Sequence, residues 1–203
     1  MAEKEATIFI VDLGVSMGNC NSGRTEPDLD WAMRYVWDKI TTIVAASRKT
    51  LNVGVLGLRT DETNTCMGPD EEGYEHISVL QELGPMSMTA LKKLTELVKV
   101  SETDTGDAIS AIVVAIQMIT TFTKHLKYKR RIYLITDGIG AMDGDDLEDI
   151  TSKINGSGIA LTVLSVIFEP PLRAVLLTCD GWDTVELTLM TPSTALRKRT
   201  SRG

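Results

Sequence analysis

The sequence predicts an α/β fold, a doubly wound, mostly parallel sheet with one antiparallel edge strand. Three observations predict it. Apolar runs of strand length alternate with stretches of helical periodicity, the pattern of βαβ units. Two of those runs, Thr7 to Asp12 and Ile132 to Thr136, show no polar alternation and read as strands buried on both faces. Each then runs out at an aspartate, Asp12 or Asp137, beside a loop of small residues. In open sheets of this kind ligands sit beyond the carboxyl ends of the strands, where the strand order reverses. Asp12 and Asp137 are therefore expected to meet there.

The elements follow in order. Thr7 to Asp12 is the first strand. Glu26-Pro27-Asp28 marks a helix start, because proline suits the first turn and Asp28 and Asp30 face the positive end of the helix dipole. Leu29, Met33, Val36, Ile40, Ile43 and Val44 recur at three and four, which predicts an amphipathic helix over 28–47. Leu51 to Leu58 is a second strand, in which Gly54 and Gly57 mark close packing or a bulge. Arg59 to Gly73 is a polar loop. Tyr74 to Leu83 alternates, with Ile77, Val79 and Gln81 on one side, and is placed antiparallel at an edge.

Ser87 caps a short helix with Met88, Leu91, Leu94 and Val98 inward. The polar turn Thr103 to Asp107 opens Ala108 to Thr123, a helix apolar almost all round and hence deep; the Thr103 and Thr105 hydroxyls are its expected caps. After the basic stretch 124–131 come the strand Ile132 to Thr136 and the loop Asp137 to Gly144. Asp145 to Ile154 is a helix stopped by Gly156 and Gly158. The continuous apolar run Ile159 to Phe168 reads as a further central strand. Residues 1–170 thus form one domain. Residues 171–203 are a carboxyl-terminal segment of unassigned structure with a basic tail, Arg197-Lys198-Arg199.

Bulk properties narrow the function classes. The chain has 203 residues, 43% of them hydrophobic, enough for a full core in one domain. A net charge of −7 disfavours nonspecific nucleic-acid binding by the chain as a whole. No apolar run is long enough to span a bilayer, and the polar start at Met1 to Ala6 is unlike a secretory signal. Cys20, Cys66 and Cys179 are too few and too scattered for a disulfide frame, and read as free thiols.

The loop after the first strand lacks the G-x-G-x-x-G spacing of a dinucleotide site and the Walker A lysine. A phosphotransfer D-x-D would need a carboxylate at Gly14. What remains is a set of short oxygen ligands, Asp12, Ser16, Thr103 and Asp137, on loops expected at one sheet edge. Magnesium accepts such a set with waters, though Gly14 offers no hydroxyl where a further ligand would help. The plainer alternative is that both aspartates accept loop amides and order the rim.

Asp12-x-Gly14-x-Ser16, Thr103-Asp104-Thr105-Gly106-Asp107 and Ile135-Thr136-Asp137-Gly138 resemble the metal-dependent adhesion motif of von Willebrand factor A domains, with Gly14 replacing its first serine. Asp12-Leu13-Gly14-Val15-Ser16-Met17-Gly18-Asn19 is closer still to the corresponding loop in the larger subunit of the Ku heterodimer. Thr60-Asp61-Glu62-Thr63-Asn64, Tyr74 to Val79 and Lys129 to Asp137 resemble further parts of that subunit's amino-terminal domain. The resemblance covers about residues 7–168. It implies a von Willebrand A-like domain that binds partners and has no catalytic site, with a role in DNA double-strand-break repair by non-homologous end joining and in telomere maintenance. It also implies a nuclear location and the smaller Ku subunit as partner. DNA ends would be met only through the full heterodimer, and no membrane is involved.

In the resembled subunit this side of the domain receives short peptide motifs of repair or telomere factors, some of them basic and aromatic. Tyr74 and Met67 are the candidate peptide-binding residues here, with the acidic Asp70-Glu71-Glu72 suited to a basic peptide. No cofactor is expected beyond a weakly held Mg²⁺ at Asp12, Ser16, Thr103 and Asp137. The alternative is a metal-dependent, Mg²⁺-using ligand-binding A domain unrelated to Ku.

Overall fold

The protein is described by a computed structural model, which covers residues 4–67, 72–140 and 147–166. Ten apolar or amphipathic stretches become β1 (Glu5–Asp12), a 3₁₀ turn (Val15–Gly18), α1 (Asp28–Ala46), β2 (Leu51–Leu58), β3 (Ile77–Pro85), α2 (Met88–Leu97), α3 (Ala108–Thr123), β4 (Lys129–Thr136), α4 (Leu147–Gly156) and β5 (Ile159–Ser165). The sheet order is β3-β2-β1-β4-β5. β1 pairs in parallel with both β2 and β4, β4 with β5 in parallel, and β2 with β3 antiparallel. The architecture is therefore mixed α/β, mostly parallel, with one antiparallel edge.

Burial explains the sequence pattern. Alternate β1 residues Ala6, Ile8 and Ile10 face a cluster built with α3 and α4, while Phe9 and Val11 face a second cluster built with α1 and α2. A strand covered on both faces has no reason to alternate, and β1 does not. The chain leaves β1 through α1 to reach β2 on one side, and later passes through α3 to reach β4 on the other. The strand order thus reverses at β1, and Asp12 closes that strand.

Several expectations are corrected. The third strand begins at Ile77, not Tyr74, because His76 adopts φ +59°, a left-handed turn that no strand continues through. The β2–β3 register slips on either side of Val55, beside Gly54, which interrupts the expected alternation. Among the described residues β5 pairs only with β4 and lies at the outer side of the sheet, not in its centre. A continuous apolar run does not by itself separate the two positions.

The deep helix is capped by Asp107, whose Oδ2 accepts from Ser110 N at 2.6 Å, and not by Thr103 or Thr105, which lie too far upstream to reach its first turn. β4 starts earlier than its apolar run suggests, since Lys129 to Arg131 already pair with β1. Arg130 donates to Ser157 O and Lys124 O, and Arg131 pairs with Glu5 at 3.0 Å, so both arginines of the basic stretch tie elements together. The expected segment 171–203 lies outside the described residues, as do Asp70, Glu71 and the start of the expected 145–154 helix.

Candidate functional site

The carboxyl ends of β1, β2 and β4 form one rim. Val11 pairs with Ile135 and Asp12 with Leu58, so Asp12 sits between Thr136 and Arg59. The Thr136 hydroxyl donates to Asp12 Oδ2 at 2.6 Å and is itself oriented by the Gly138 amide, which donates to it at 3.0 Å. Gly14 N donates to Asp12 Oδ1 at 3.0 Å. Asp137 follows directly, 5% exposed, with Oδ1 accepting from Ile139 N at 3.0 Å. The two aspartates of the sequence reading thus lie on adjoining strand ends.

Ser16 lies on the 3₁₀ turn after β1, and Thr103 reaches the same place from the segment before α3. Val15 N bonds Thr103 O at 3.3 Å, and Ser101 N bonds Leu13 O at 2.7 Å. The Thr103 hydroxyl accepts from Thr105 N at 3.1 Å and lies 2.9 Å from the Thr105 hydroxyl. All four predicted oxygen residues are therefore on loops of one rim. Ser16 Oγ and Asp137 Oδ2 are buried without a hydrogen-bond partner among the described residues.

The residue that sequence reasoning missed is Arg59. Its Nη1 lies 3.2 Å from Asp12 Oδ2, with the two side chains 3% and 0% exposed. The signal for it was Gly14: a glycine where a hydroxyl was wanted marks a close approach by something bulkier. A Cβ at Gly14 would lie 2.8 Å from Arg59 Cδ. Burial raises the Asp12 carboxyl above its ordinary 3.8; Thr136, Gly14 and Arg59 pull it back and the nearby Asp137 charge adds to the rise. A divalent ion placed on Asp12 would meet a fixed guanidinium and two oxygens already engaged. Among the described residues no three His, Cys, Asp or Glu side chains come together as a metal cluster.

Tyr74 and Met67 are half-buried and pack against the cluster under α3, as do Val79, Ile109 and Val113. Tyr74 thus packs on the core ahead of β3 and is not part of the strand itself. The β3 edge next to it is already taken: Asn64 N donates to Ile77 O at 3.0 Å and Val79 N donates to Asn64 O at 2.7 Å. That contact blunts strand addition at this point.

A family model described as the Ku70/Ku80 N-terminal alpha/beta domain matches residues 6–167. A Neurospora crassa protein named ATP-dependent DNA helicase II subunit 2 is 57% identical over 170 residues, covering 83% of this chain and 23% of that protein. The Schizosaccharomyces pombe protein of the same name is 34% identical over 169 residues, covering 83% of this chain and 24% of that one. The chain therefore spans about a quarter of the length of these curated relatives. The crystal structure of the SpRpn10 VWA domain aligns with a TM-score of 0.56 at 14% identity over 80% of this chain and 78% of that one, which shows the shared fold alone. These matches overturn the alternative of an A domain unrelated to Ku. With a match that runs from the first residues of β1 past the end of β5, the chain belongs to the Ku70/Ku80 N-terminal alpha/beta domain family.

Proposed function

We propose that this chain is a non-catalytic protein-interaction domain of a Ku larger subunit, acting in DNA double-strand-break repair by non-homologous end joining and in telomere maintenance in the nucleus. Its partners are the smaller Ku subunit and short peptide motifs of repair or telomere factors. DNA ends are reached only through the full heterodimer, in line with the acidic balance of this chain, −7 overall.

Family membership across residues 6–167 is the observation that carries this reading. The non-catalytic part is supported by the rim itself. A carboxylate nucleophile needs a free oxygen facing substrate, whereas Asp12 accepts from Thr136 and Gly14 and pairs with Arg59 out of solvent. Peptide binding at Tyr74 and Met67 is supported by their half-buried position, in which each packs on the core under α3 and keeps part of its side chain in solvent. With the adjoining β3 edge occupied by Asn64, a peptide there is held by side-chain contacts more than by ladder bonds.

Two measurements test this. Pull-down of a Ku smaller subunit by the full-length larger subunit, with and without DNA ends, is expected to succeed in both conditions; failure in both overturns the pairing. A short basic peptide bearing an aromatic residue is expected to bind the chain and to lose affinity on Tyr74→Ala, unaffected by EDTA. Equal binding by the variant removes Tyr74 from the site.

A further inference from the structure

We propose that Arg59 is the resident cation of this rim, a tethered guanidinium standing where the oxygens of Asp12, Ser16, Thr103 and Asp137 would otherwise gather a divalent ion. The side chain is not a surface arginine that happens to fold inward. Its backbone takes φ +57°, a conformation rare for a residue with a Cβ, and the strain is held by Ser101 Oγ donating to Arg59 O at 2.6 Å. That turn, directly after β2, is what sends the side chain across the end of β1 instead of out to solvent.

The path is cut by glycines from three separate loops. A Cβ at Gly14 would lie 2.8 Å from Arg59 Cδ, one at Gly106 3.0 Å from its Cγ, and one at Gly140 only 1.2 Å from its Nη2. Gly14 and Arg59 are therefore two halves of one arrangement. A serine at position 14 would supply an ion ligand but would also displace the arginine. The glycine gives up the ligand and admits the guanidinium. Guanidinium suits the place because its charge is permanent and its planar group is less strongly hydrated than an ammonium.

The oxygens left over fit the same account. Ser16 Oγ and Asp137 Oδ2 have no hydrogen-bond partner among the described residues, and an ion at the rim would draw on both. The arginine neutralises Asp12 without satisfying them. A rim built around a free ion responds to ion supply; one built around a tethered cation does not. Divalent cations and chelators then leave the stability of this face unchanged.

The test uses Mn²⁺ as probe, followed by loss of its free-ion electron paramagnetic resonance signal, on the chain and on Arg59→Gly with Gly14→Ser. Glycine tolerates the backbone conformation at position 59. The unaltered chain is expected to show no saturable site. The double variant is expected to take up Mn²⁺ to saturation at one ion per chain, and Asp137→Asn on that background to lose it. A second measurement covers misfolding of the double variant. Methylguanidinium is expected to raise the melting midpoint of Arg59→Gly alone and to leave the unaltered chain unmoved. A saturable Mn²⁺ site in the unaltered chain that Asp12→Asn removes overturns the proposal. So does a double variant that is folded by circular dichroism yet binds no Mn²⁺. If the double variant does not fold, absence of methylguanidinium rescue in Arg59→Gly overturns it.

Discussion

The Arg59 guanidinium lies 3.2 Å from the Asp12 carboxylate, and neither side chain is more than 3% exposed. A buried pair of this kind contributes little net stability, because desolvation offsets most of the attraction. Removing one partner is another matter, since the other is then left charged and unpaired. The pair therefore makes the rim unforgiving of single changes.

Asp12→Asn is expected to destabilise the chain by about 3 kcal/mol, leaving Arg59 without its counter-charge. Adding Arg59→Met should recover much of that loss, with a coupling of about 2 kcal/mol between the two sites. Urea unfolding of the two single variants and the double variant measures it. Losses that simply add would show that the two groups do not sense each other.

The pair also sets a pH dependence. Burial raises the folded-state Asp12 carboxyl above 3.8, so the fold holds that proton more tightly than the unfolded chain does. The stability from this group is complete below 3.8 and is lost as pH rises through the raised folded value. Arg59 is one of the groups that limit the rise. Arg59→Met is therefore expected to cost more at neutral pH than in acid, read from denaturant midpoints at the two pH values. A cost that is flat with pH, or larger in acid, contradicts this assignment.

Gly140→Ala should act at a distance from its own backbone. The new Cβ would fall 2.1 Å from Arg59 Cζ, and the guanidinium is boxed in, so either it leaves Asp12 or the loop shifts. A loss of about 1–3 kcal/mol is expected. It should shrink when Arg59 is shortened to alanine. Thermal melts of the single and paired variants would reveal a glycine of no consequence if the loss were absent.

A second ion pair joins the partly buried Arg24 to the fully buried Asp28 near the end of β5. Arg24 Nη2 lies 2.6 Å from Asp28 Oδ1 and 2.6 Å from Val166 O, with the guanidinium 4.6 Å from the Trp31 ring centre. Arg24→Ala leaves Asp28, which is fully buried, with its Asn21 contacts alone among the described residues. A loss of about 2–3 kcal/mol is expected. The Val166 amide, which donates to Thr136 O, should exchange faster with solvent. Unchanged exchange there would mean that Arg24 does not anchor the end of β5.

The linear chain was sufficient for the layers of this domain. Unalternated runs at β1 and β4, the three-and-four spacing of α1 and the serine before α2 are local patterns, and local patterns survive into the structure because each reports which faces will be covered. The adjacency of Asp12 and Asp137 was legible for the same reason: two buried strands ending in aspartate, in an open sheet, have one place to meet. Motif order along the chain was enough for the family.

Tertiary structure alone decided which cation pairs with Asp12. Arg59 follows β2, Gly14 follows β1, Gly106 precedes α3 and Gly140 follows β4, so no window of sequence contains the arrangement. Periodicity reports burial by element. It is silent on a side chain that crosses from one loop into the space left by three others. The same holds for the β3 edge, where Asn64 closes a ladder that the strand pattern alone leaves open. Charge placement and edge protection are made by contacts distant in sequence, and those become visible only when the chain has folded back on itself.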